Sequence, residues 1–179
     1  GNSFVEFQRI LLSLWKRGII LAINSKNNPD DAFQVIREHP YMILKEEHFA
    51  STRINWNDKA TNLKEISIDL NIGLNSIVFF DDDPVNRELI RSIMPEVLTV
   101  ELPNDPSLYA QTLTELNDFN ILQITKEDFN RGQMYTEQKS RIQLENNISN
   151  LDDFLKHLEI KVNIKNANDF TIPRISQLT

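Results

Sequence analysis

Apolar residues along the first hundred positions switch between helical spacing and short uninterrupted runs. Phe4, Phe7, Ile10, Leu11 and Leu14 recur at helical spacing and Gly18 follows Arg17 as a stop, so a helix is expected from Phe4 to Lys16. Ile19-Ile20-Leu21-Ala22-Ile23 is too short for a helix and suits a strand buried on both faces. A polar loop, Ser25 to Pro29, leads into a short helix from Asp30 to Glu38, and Met42 to Asn57 reads as irregular with one brief apolar patch. Asp58 to Leu70 returns to a largely helical arrangement, followed by a turn over Asn71 to Asn75 and a second buried strand over Ser76 to Phe80. Helices over Val85 to Ile93 and Leu108 to Leu116 flank a third strand, Val97 to Val100.

This alternation predicts a three-layer, Rossmann-like α/β fold with a mainly parallel sheet over residues 1–124. From Lys126 to Asn147 the chain becomes strongly polar and reads as a long exposed helix, residues 125–150 forming a connection. Leu151 to Leu158 and the alternating Ile160 to Ile164 then suggest the start of a second small α/β unit over residues 151–179.

Composition narrows the function. No apolar run approaches the ~20 residues that span a bilayer, and the first residues lack a signal-peptide layout, so a cytoplasmic location is the default. A formal net charge of −7 gives a nucleic-acid partner no electrostatic support. With 0 cysteines there is no disulfide, thiolate metal site or thiol nucleophile. His39, His48 and His157 lack ligand spacing, which speaks against zinc hydrolysis. Trp15 and Trp56 read as core or partly buried packing residues.

Three places carry candidate chemistry. Phe79-Phe80-Asp81-Asp82-Asp83-Pro84 puts three carboxylates at the end of a buried strand, where they repel one another. Mg²⁺ would relieve that repulsion, since it favours one or two carboxylates plus phosphate oxygens. Capping of the next helix is the competing reading, and Asp83 before Pro84 suits it well. Ser25, after the first strand, can hold a phosphate oxygen with nearby amides or simply make a turn, and Lys26 is a second phosphate contact or a solvated side chain. Lys59 sits in the first turn of a helix, where a cation opposes the helix dipole; that hints at another use, the competing reading being an ordinary exposed lysine, which is common everywhere.

Serine after one strand, lysine at a helix start and acids after a later strand follow the order of the last three motifs of HAD-superfamily enzymes. The strings Ala22 to Asn28, Arg53 to Asn62, Phe80 to Arg87 and Glu101 to Pro106 more specifically resemble the FkbH-like branch, over at least Phe4 to Leu113. The resemblance implies phosphoryl contacts from Ser25 and Lys59, Mg²⁺ at Asp81 and Asp82, and an aspartyl-phosphate intermediate. Its nucleophile belongs to an Asp-x-Asp strand that would precede the first helix and that these 179 residues do not include, leaving unpaired sheet edges. The expected function is that of a HAD-type phosphatase or phosphotransferase fragment, inactive alone, acting on a phosphorylated small molecule or a carrier-bound substrate.

Two alternatives stay open. Some family members resemble glyceryl transferases that load glycerate from 1,3-bisphosphoglycerate onto an acyl carrier protein in polyketide pathways. Those commonly carry Cys before the motif serine, where this chain has Asn24, and an amide cannot form the thioester. The other is a non-catalytic module that docks a carrier or partner enzyme. A receiver domain would place its acidic pair first and its lysine last, the reverse of the order here.

Overall fold

The computed structural model describes residues 2–119 together with Asn130, Met134, Tyr135, Glu137, Gln138 and Arg141, which are helical. The remainder of the connecting helix expected over 126–147, and the small unit expected over 151–179, lie outside the described residues.

The described chain is mixed α/β. Its main elements are α1 (Asn2–Lys16), β1 (Leu21–Ser25), α2 (Pro29–Glu38), β2 (Phe49–Ile54), α3 (Lys59–Leu70), β3 (Val78–Phe79), α4 (Pro84–Ile93), β4 (Leu98–Thr99) and α5 (Tyr109–Glu115). The helices fall where their apolar spacing and caps put them. Gly18, at φ 90°, closes α1 by letting Gly18 N–H reach the Trp15 carbonyl and Ile19 N–H reach that of Leu14. Asp58 caps α3, its carboxylate accepting from Thr61 N–H at 2.8 Å, and Asn71 ends the helix in the left-handed region at φ 50°.

Two strand assignments need correction. The first strand begins at Leu21 instead of Ile19, because the turn after α1 takes up Ile19, and it runs on through Ser25. The irregular stretch from Met42 to Asn57 contains a strand, β2, which pairs with β1 in parallel. The sequence Phe-Ala-Ser-Thr-Arg-Ile hides it, because small and polar residues break the apolar pattern. Ser51 is nonetheless buried, its hydroxyl donating to Asp69 at 3.1 Å, and Arg53 Nε donates to Glu65 at 2.7 Å.

The strands form two parallel pairs. In the first, Ile23 stands opposite Thr52 and Ser25 opposite Ile54; in the second, Val78 stands opposite Leu98 and Phe79 opposite Thr99. Among the described residues no ladder joins β1 to β3. What ties the pairs together is α3, which contacts β1, β2 and α4. Its Ala60 and Leu63 pack with Phe79, Ile90, Met94 and Val97, while Ile66 and Leu70 pack with Ala50. Burial on more than one side explains why the apolar residues of this helix do not fall on a single stripe. A third cluster joins Leu21, Leu44 and Phe49 to Leu11, Leu12 and Trp15 of α1.

Candidate functional site

The carboxyl ends of β1 and β3 and the start of α3 converge on one side chain. Lys59 is the first residue of α3 and is only 7% exposed. Its Nζ donates to the Asn24 carbonyl near the end of β1 at 2.6 Å and lies 3.1 Å from Asp81 Oδ2, just past β3. An ammonium among the first amide groups of a helix is disfavoured by the helix dipole, and this carbonyl and carboxylate compensate for it.

Asp81 is itself 8% exposed and fully engaged. Its Oδ1 accepts from Asp83 N–H at 3.0 Å and from Asn86 Nδ2 at 3.2 Å, while Oδ2 faces Lys59. Asp82 is exposed. Asp83 caps α4, accepting from Val85 N–H at 2.8 Å with Pro84 in the first turn, so the capping reading holds for this third acid.

Ser25 ends β1 half-buried, and its carbonyl accepts from Asn55 N–H at 3.0 Å, which brings the β1 and β2 loops together. Lys26 is exposed, and no contact draws it to Lys59 or Asp81. Lys59, Asn24 and Asp81 are therefore gathered in one cluster, Ser25 and Asp82 adjoin it in sequence, and Lys26 points to no partner in it.

Sequence reasoning missed the asparagines that hold this cluster. Asn24 Nδ2 donates to the Lys59 carbonyl at 2.9 Å, so the two residues bond reciprocally. Asn62, one helical turn on from Lys59 and 0% exposed, donates to Asn24 Oδ1 at 3.2 Å and exchanges hydrogen bonds with Asn55 at 2.9 and 3.1 Å. A carboxamide both donates and accepts, which lets three of them cross-link two strand ends and a helix with no net charge. The available signal was positional: Asn24 and Asn55 fall at strand ends, and Asn62 lies three residues after the lysine.

Trp56 also departs from expectation. It is 70% exposed, and its indole N–H donates to Asn28 Oδ1 at 3.1 Å, so it stands on the surface beside the site. An Asx turn, Asn57 N–H to Asn55 Oδ1 at 3.0 Å, turns it outward.

Among the described residues no three or more His, Asp or Glu gather to hold a metal. Mg²⁺ does not demand such a cage, because it keeps waters and takes phosphate oxygens alongside one or two carboxylates. Adjacent Asp81 and Asp82 supply carboxylate oxygens of the kind such a cation takes, those of Asp81 here accepting from Asp83 N–H, Asn86 Nδ2 and Lys59 Nζ. Two clefts, of about 360 and 370 Å³, lie elsewhere, the first along Glu101 to Pro103 and α5 and the second between α1 and α5. Neither is lined by Ser25, Lys59, Asp81 or Asp82. Among the described residues no helix is long and apolar enough to cross a membrane.

No protein-family model and no curated protein matches the chain. A solved structure does: the N-terminal part of the protein BF1531 from Bacteroides fragilis, which contains a phosphatase domain and was crystallised in complex with Mg. Identity is 42% and the TM-score 0.65, over 67% of this chain and 32% of that one. The match thus spans about a third of the length of that crystallised chain.

Proposed function

We propose that this chain contributes the phosphate- and Mg²⁺-binding part of a HAD-type phosphatase or phosphotransferase of the FkbH-like branch. The observation that carries the reading is the convergence of Lys59, Asn24 and Asp81 at the ends of β1 and β3, with Asp82 exposed beside them. Likeness to a Mg-complexed phosphatase domain at 42% identity supports it.

In this reading Ser25 and the Lys59 ammonium bind phosphoryl oxygens, and Asp81 and Asp82 hold Mg²⁺. When bound, the cation would neutralise charge on the carboxylates and the phosphoryl group. Lys59 is suited to its role because burial strengthens its field and the Asn24 carbonyl fixes its direction. Phosphoryl transfer depends mainly on such positioning and charge neutralisation. The nucleophilic aspartate would come from a strand lying between β1 and β3, completing a three-layer Rossmann-like sheet. Residues 1–124 would form this core, 125–150 a connection and 151–179 a second unit. Lys26 would serve at most as a peripheral phosphate contact. The substrate would be a phosphorylated small molecule or a carrier-bound one, and the setting cytoplasmic.

Glyceryl transfer through an enzyme thioester is disfavoured. Position 24 holds a carboxamide already bonded to Lys59 and Asn62, and there are 0 cysteines.

The test is Mg²⁺-dependent phosphate release from acyl phosphates and phosphomonoesters. This chain is compared with a version carrying an added amino-terminal Asp-x-Asp strand, and with Asp82→Asn in the longer version. Release by the longer version alone, abolished by Asp82→Asn, supports the reading. A well-folded longer version without activity would move the assignment to a carrier-docking module.

A further inference from the structure

Arg87 lies in α4 four residues after the acidic run ends, and it is 5% exposed. Helical side chains lean toward the helix start, and this one reaches back to the end of β3. Its Nη1 donates to two successive carbonyls, those of Asp81 at 2.8 Å and Asp82 at 3.0 Å. Its Nη2 donates to Glu101 Oε1 at 2.8 Å, just after β4, and Glu101 is held from its other oxygen by Arg91. A chain of charged groups thus runs from Arg91 through Glu101 and Arg87 to the backbone of Asp81 and Asp82.

Stability alone accounts poorly for an arginine here. Its Nε is buried without a partner, and a buried guanidinium with an unmet donor is costly where an apolar residue would pack freely. Attraction does not account for it either, since a cation beside two carboxylates opposes the arrival of a second cation. What the guanidinium does supply is geometry. With both carbonyls drawn to Nη1 of one rigid guanidinium plane that Glu101 holds through Nη2, the Asp81 side chain is directed to Lys59 and Asn86, and Asp82 is left exposed.

We infer that Arg87, braced by Glu101 and Arg91, is a positioning residue that presets the Asp81–Asp82 loop for a divalent cation. The inference rests on the reading of those two aspartates as cation ligands. It places the determinant of metal affinity partly in residues that never touch the metal.

The sign of one measurement separates geometry from charge. Mg²⁺ alone is titrated calorimetrically into the full chain, into Arg87→Lys and into Arg91→Gln, with far-UV circular dichroism to verify the fold. Arg87→Lys keeps the charge and loses the planar group that joins the two carbonyls to Glu101, and about a tenfold weaker affinity is expected with an unchanged spectrum. Arg91→Gln removes a positive charge, which by electrostatics alone would tighten Mg²⁺ binding, whereas loss of the brace on Glu101 weakens it. Equal or tighter binding by folded Arg87→Lys overturns the inference. Should that variant not fold, Arg91→Gln decides: weaker binding supports positioning, and unchanged or tighter binding overturns it. No Mg²⁺ binding by the unaltered chain overturns the metal reading and this inference with it, whereas binding that Arg87→Lys leaves intact overturns this inference alone.

Discussion

Lys59 and Asp81 form a buried ion pair, 3.1 Å apart, that joins a helix start to the end of a strand in the second sheet. Removing one partner of such a pair leaves the other charge uncompensated. Lys59→Met is therefore expected to cost about 3 kcal/mol in urea denaturation. Added Mg²⁺ should recover part of that loss, because a cation can take over the vacated role beside Asp81. A variant as stable as the parent would show that the pair does not compensate Asp81.

The Asn62 carboxamide is fully buried and serves both Asn24 and Asn55. Asn62→Leu would leave Asn24 Oδ1 and Asn55 Nδ2 unmet, at about 2–3 kcal/mol by chemical denaturation. Asn62→Asp tests the direction of the bonds, since it sets carboxylate oxygens against Asn24 Oδ1 and Asn55 Oδ1. It should destabilise comparably despite its matching shape, and a neutral result would remove the network from the account.

Three carboxylates among the described residues contribute to the response to acid. Thr61, through its backbone N–H and then its hydroxyl, holds the Asp58 carboxyl below its ordinary range. Arg91 and then Arg87 do the same for Glu101, and Ser107 for Asp105. A carboxyl with a depressed folded pKa adds stability that is complete above its unfolded value, about 3.9 for Asp and 4.3 for Glu, and is lost as pH falls through the folded value. Their contribution should be constant above about pH 5 and decline below about pH 4. Denaturation midpoints across that range check it, and stability that rose on acidification would contradict it.

How much of this was legible in advance depended on what each residue's neighbours were. The helices were readable because caps and spacing act locally: Asp58, Asp83 and Asn71 announce ends within a few positions. Strand β2 was not, because its Ser51 and Arg53 are satisfied by Asp69 and Glu65 of α3, more than ten residues away. Lys59 and Asp81 were singled out by chemistry that is odd for their positions, a cation at a helix start and a run of acids on a strand. Asn62 and Arg87 look ordinary in a helix, and only the closing of the strand ends around them gives them a role. Trp56 was read inward by residue type, whereas the Asx turn at Asn55 turns it out.

The two tryptophans should report separately. Trp15 packs against Leu21, Leu44 and Phe49, whereas Trp56 is exposed. In Trp15→Phe, emission should resemble that of water-exposed indole and be readily quenched by acrylamide. In Trp56→Phe the remaining emission should be shifted to the blue and protected, with stability changed by less than about 0.5 kcal/mol. Equal quenching in both variants would contradict this placement of Trp56.

Helix α3 packs Ala60 and Leu63 toward β3 and α4, Ile66 and Leu70 toward β2, and holds Lys59 and Asn62 at the strand ends. Each residue added to a helix turns everything beyond it by about 100°. A single insertion or deletion inside α3 would thus unseat two packing faces together, and no one substitution elsewhere could repair both. Asn55 and Asp58 before the helix and Asn71 at its end are tied to it, so changes in length along this region fall to the segment beyond, 72–76, which leaves α3 the fixed ruler against which variation there is measured.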